Sequence, residues 1–114
     1  MVAVVWQFQV QPGKSAEFER FYGADGDWTR LSRRSRSFLG SSFLKDLASE
    51  RYLLIEYWSE MVVYEKHRVT NEAEVRRLEA ERRGFVAQAD ALGVFTALNV
   101  PDRTGPAWSR RAQD

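Results

Sequence analysis

The run RYLLIEYW at residues 51–58 is the most apolar and aromatic stretch of the chain, and it restricts the fold more than any other. With a period of two, Leu53, Ile55 and Tyr57 fall on one side and Tyr52, Leu54, Glu56 and Trp58 on the other. A strand with large apolar groups on both faces belongs in the middle of a sheet that is covered on both sides. The chain can supply that cover: its 114 residues are 44% hydrophobic and 13% aromatic, enough for one domain with a packed core.

The other elements follow from periodicity and punctuation. Residues 2–10 alternate, with Val2, Val4, Trp6, Phe8 and Val10 on one face, which predicts a first strand ended by Pro12 and Gly13. Ser15 opens a short helix burying Phe18, Phe21 and Tyr22, and Asp27 is placed to cap a second helical piece from Trp28 to Arg34. Residues 38–46 form a second strand, where Gly40, Ser41 and Ser42 mark either a bulge or a close approach to the backbone. A hairpin turn at 47–50 joins it to the central strand.

Ser59 then caps a helix running to Arg68, and Thr70 or Asn71 caps a longer one with Val75, Leu78, Phe85 and Ala89 in its stripe. Gly84 kinks or ends that helix. Gly93 resets the chain, and residues 94–100 are expected as the last strand, stopped by Pro101. Residues 101–114 read as a polar tail, poorly ordered unless Trp108 docks.

Strand, helix, strand, strand, helix, strand is the order of a ferredoxin-like βαββαβ α+β domain spanning residues 1–100, a four-stranded antiparallel sheet with helices on one face. Its first and third strands are central. Both carry large apolar groups on the side away from the helices, so the expected assembly is a homodimer with two sheets packed face to face.

With 17 basic against 16 acidic side chains and a formal charge of +1, no global field favours nucleic acid or an anionic membrane. The chain has no cysteine, which removes disulfides and thiolate metal sites and fits a reducing compartment. The N-terminus lacks the basic segment of a signal peptide, and no apolar run reaches the ~20 residues of a bilayer span, so a cytoplasmic location without membrane contact is expected.

Candidate site residues cluster after the central strand. His67, the only histidine, suits proton transfer or haem ligation, and equally a half-exposed helix position beside Arg68. Zinc is excluded because no second histidine stands at a ligand spacing. Trp58 and Tyr64, with Trp28 and Trp6 as further walls, could line a cleft for a planar substrate or simply fill the core. Glu56, a carboxylate within an apolar strand, needs a partner such as Arg51, Arg34 or a residue of a second chain; otherwise it is a general base. Arg30, Arg33, Arg34 and Arg36 form a basic cluster suited to a phosphate or carboxylate, or to a solvated helix end.

The segment YLLIEYWSEMVVYEKH resembles dimeric α+β barrel proteins of the antibiotic-biosynthesis-monooxygenase-like family. In these a strand ending in Glu-x-Trp leads through Ser into a helix with an aromatic residue and then His, here Glu56, Trp58, Ser59, Tyr64 and His67. Trp6, Phe8, Val10, Pro12 and Gly13, followed by Phe18, Tyr22, Gly26, Trp28 and Leu31, are similar to a subgroup of that family. The glycine-rich approach to the second strand is replaced by Ser37, Phe38, Leu39 and Gly40. The resemblance implies a homodimer and a cofactor-independent monooxygenase-like protein acting on a quinol or other aromatic small molecule. Catalysis would fall to His67, Tyr64 and Trp58, and substrate contact to Trp28, Trp6 and Glu56. Haem on His67 is the competing use, and a non-catalytic dimeric module for a hydrophobic ligand or partner protein is the alternative.

Overall fold

The computed structural model describes residues 1–100; the expectations for the 101–114 tail and Trp108 lie outside them. The elements are β1 (Val2–Val10), α1 (Ser15–Tyr22), α2 (Asp27–Ser32), β2 (Phe38–Lys45), β3 (Arg51–Trp58), α3 (Met61–Thr70), α4 (Glu72–Arg82) and β4 (Val86–Thr96). The strands form one antiparallel sheet in the order β2-β3-β1-β4, so the two most apolar strands are its centre, as their patterning requires.

Register decides which side chains meet. Val4 stands opposite Glu56, Trp6 opposite Leu54 and Phe8 opposite Tyr52, and this face lies under the helices. There Phe18, Phe21, Tyr22, Trp28, Leu31, Val75 and Leu78 close over Phe8, Val10, Tyr52 and Leu54. The core is largely aromatic: Phe18 sits 4.8 Å from Tyr52 and 5.2 Å from Phe8, ring to ring. Arg82 of α4 is also buried there, its guanidinium 5.1 Å from the Trp6 ring, with Nη1 donating to the Tyr22 hydroxyl at 3.2 Å. The opposite face of the sheet carries Val5, Leu53, Ile55, Tyr57 and Phe95, with no element of the described residues over it.

Three details differ from the expectations. The last strand is Val86–Thr96 rather than 94–100, so Phe85 and Ala89 leave the expected helical stripe and the helix ends at Arg82. Alanine-rich sequence gives way to tertiary pairing here: Ala89 lies opposite Phe8 and Ala91 opposite Trp6, where large rings on β1 leave room for small partners. Ser59 does not cap α3, which starts at Met61 with Glu60 at the cap; instead the Ser59 N–H prolongs the sheet by donating to Ser37 O at 2.9 Å. Asp27 is the first residue of α2, paired with Arg30, and Gly26 occupies the cap.

The weak region of β2 is a bulge. Leu39 is the extra residue against β3, followed by Gly40 at φ 119°, and β4 repeats the device with Leu92 and Gly93 at φ 139°. Both edge strands are thus broken where an uninterrupted edge would pair with another chain.

Candidate functional site

The β3–α3 junction brings three of the expected residues together. Trp58 ends β3 on the helix face, and Tyr64 and His67, three apart on α3, both turn back toward it. The Trp58 ring centroid is 5.3 Å from Tyr64 and 5.0 Å from His67. Phe38 of β2 closes the other side of the indole at 5.3 Å. Trp58 has no solvent exposure, while Tyr64 and His67 keep 8% and 9%. Its indole Nε1 is buried with no hydrogen-bond acceptor among the described residues, although a buried donor left unmade costs about 1–3 kcal/mol.

The protonation of His67 follows from its surroundings. Burial holds its pKa below the ordinary 6.5, and the nearby Arg68 and Arg34 guanidinium groups lower it further, so the ring is neutral at pH 7. Asn71, one helical turn on, donates its side-chain nitrogen to His67 O at 2.9 Å, which fixes the orientation of the amide. The same nitrogen lies 3.3 Å from the imidazole Nδ1, which must therefore accept. The neutral ring then carries its proton on Nε2 and acts as a donor there.

Glu56 is buried deeper, and its partners are not those expected. Arg51 is paired with Asp46 and Arg34 with Glu74, while the Glu56 Oε2 accepts from the Trp28 indole at 3.0 Å and the Ser32 hydroxyl at 3.2 Å. Trp28 and Ser32 stand four apart on α2 and reach the carboxylate from one face. Burial raises the Glu56 pKa above its ordinary 4.5 despite these two bonds and the charge of Arg68. A carboxyl that binds its proton more tightly folded than unfolded gives stability that is full below about 4.5 and is lost as pH rises through the raised folded value. Glu56→Gln keeps an acceptor for Trp28 and cannot ionise. Its thermal midpoint should therefore gain on the wild type progressively as pH rises from about 4.5, and parallel curves across a pH series would contradict the assignment.

The six expected site residues thus divide. Trp58, Tyr64 and His67 form one cluster; Trp28 and Glu56 form a hydrogen-bonded pair beside it; Trp6 stacks on Phe8 in the main core, under Arg82. His67 alone of the six lines one of the four principal surface clefts, an opening of about 290 Å³ shared with Arg34, Ser35, Val63, Lys66, Thr70 and Asn71. Sequence reasoning missed Ser32 and Asn71, although each stands four residues from a chosen residue on the same helix face. It also missed the role of Arg68, which spans Tyr64 and Glu79: its guanidinium is 6.0 Å from the phenol ring and bonds Glu79 Oε2 at 3.1 Å.

The antiparallel β2-β3-β1-β4 sheet with helices on one face is the fold of antibiotic-biosynthesis-monooxygenase-like proteins. Among solved structures, the chain is similar to SnoaB, a cofactor-independent oxygenase from Streptomyces nogalater, with a TM-score of 0.70 at 20% identity over 87% of this chain and 94% of that one. Rv0793 from Mycobacterium tuberculosis matches with a TM-score of 0.68 at 14% identity, covering 89% and 98%. A variant of MhuD with two manganese protoporphyrin IX molecules bound per active site matches at 0.66 and 19%, covering 90% and 99%. No protein-family model matches the sequence, and no curated protein matches it. Among the described residues no helix is long and apolar enough to cross a membrane.

Proposed function

We propose that this protein is a homodimeric, cofactor-independent monooxygenase that oxidises an electron-rich aromatic, a quinol or related phenol, at the Trp58–Tyr64–His67 cluster. The observation that carries the reading is the Trp58 indole N–H, fully buried and without an acceptor among the described residues, set against the imidazole of a neutral His67. An unpartnered indole N–H packed against an imidazole donor is suited, once α3 opens, to an oxygen atom that gains negative charge, as a phenol's does when it becomes the electron-rich anion that reacts with dioxygen. The substrate supplies all four electrons that reduce dioxygen: a substrate SH₂ and O₂ give the oxygenated product SO and water. The likeness to SnoaB, described as cofactor-independent, supports the same chemistry.

Haem on His67 fits this arrangement poorly. Nδ1 is taken by Asn71, so Nε2 holds the proton and has no free lone pair for iron. The space beside Trp58 is filled by Phe38, Tyr64 and His67, so substrate admission requires α3 to shift outward. α3 is built for that: it buries only Tyr64 and His67.

The filled interior also favours a second reading, a dimeric module that binds without turnover. Oxygen uptake measured with a panel of quinols and polycyclic phenols, on protein treated with chelator, separates the two. The oxygenase reading expects uptake above the autoxidation rate for at least one of them; autoxidation rates throughout leave the module.

A further inference from the structure

The cleft on the outer side of His67 has a chemical character of its own. Its polar lining is Arg34, Ser35, Lys66, His67, Thr70 and Asn71, with no carboxylate among the lining side chains. These residues come from three places in the chain: the turn after α2, α3, and the residue joining α3 to α4. Of the four arginines that cluster in the sequence, Arg34 alone lines it. Arg30 is tied to Asp25 O and Asp27, and Arg33 bonds Ala24 O at 2.7 Å.

The groups around the imidazole set the sign of the local field. Arg34 is paired with Glu74 at 2.6 Å and Arg68 with Glu79 at 3.1 Å, while Lys66 has no ion-pair partner among the described residues. Glu56 lies on the far side, within the core, and Tyr64 stays protonated because burial raises its pKa. The open side of His67 therefore carries one cation unpaired among the described residues, Lys66, and a paired guanidinium, Arg34, at the border of a lining surface that is mostly apolar.

We propose that this cleft binds the oxyanion group of a small molecule, a carboxylate or a phosphate, held by Lys66 and Arg34 and touching His67. The site stands whether or not the protein turns anything over. If the oxygenase reading is right, the substrate is an aromatic bearing an acidic group, and that last step rests on the reading.

His67 is the only histidine, so its imidazole proton resonances report the cleft alone. The test follows their pH titration by NMR with benzoate, with inorganic phosphate and with neutral benzyl alcohol, at an ionic strength fixed with chloride. A bound anion stabilises the imidazolium and raises the titration midpoint. Benzoate or phosphate should raise it saturably where benzyl alcohol does not. Benzoate alone would specify a carboxylate on an apolar ring, and phosphate alone a phosphate ester. Lys66→Gln, at an exposed position, should weaken binding about tenfold, as should Arg34→Gln. A midpoint that no anion moves beyond the chloride control, or variants that bind like the wild type, would overturn the site. Saturable binding without oxygen uptake would keep it and remove the oxygenase reading, and uptake without anion binding would do the reverse.

Discussion

His67→Ala is expected to lower turnover of an accepted quinol by about 10²–10³-fold, the usual loss when one donor to a developing oxyanion is removed. The loss should fall on kcat and leave KM nearly unchanged, because the bond strengthens as negative charge forms and is weak to the neutral substrate. Folding should suffer less. His67 lies at the edge of the cluster and Trp58 keeps Tyr64 and Phe38 as neighbours, so a cost of about 1–2 kcal/mol is reasonable for a partial truncation. Stopped-flow or steady-state kinetics beside a thermal melt separates the effects. A variant that turns over like the wild type would remove His67 from the chemistry.

Ile55→Asp should have the largest effect on assembly. Ile55 lies at the centre of the uncovered sheet face, opposite Val5 on β1 and Ser42 on β2, with Leu53 and Tyr57 two residues away on the same strand. If a second chain covers that face, the new carboxylate is buried without a partner and costs several kcal/mol, enough to separate the chains. Sedimentation at micromolar concentration should show two chains for the wild type and one, or an unfolded one, for the variant, since folding and association are coupled in such dimers. A wild-type monomer, or a variant that still pairs, would contradict the face-to-face arrangement.

The fold was legible where side-chain period and size agree. The two-sided apolar character of RYLLIEYW and the alternation of residues 2–10 required two central strands, and β3 and β1 are those. β4 was hidden because its helix-facing residues over much of its length are alanines, small to suit Phe8 and Trp6 opposite; only the pairing explains that choice, and pairing is not a local signal. The site was legible in part. Spacing placed Tyr64 and His67 on one helix face beside Trp58, but the carboxyl of Glu56 found an indole and a hydroxyl from α2 in place of Arg51 or Arg34, the partners expected from its own chain. A fully buried carboxyl with a raised pKa gains less from a guanidinium than an ionised one would, and two neutral donors serve it. The orphan indole N–H of Trp58 had no counterpart in the sequence, because an unmet hydrogen bond is a property of packing.

The central claim is that the substrate itself reduces dioxygen in a site built from side chains alone. It is tested most directly by running a turned-over quinol under isotopically heavy dioxygen with chelator-treated protein and weighing the product. The account predicts one heavy oxygen atom in the product and one in water, in equal amounts, with the signal lost in His67→Ala. A product without the heavy atom, or labelling that the His67→Ala protein reproduces at the wild-type rate, would contradict it.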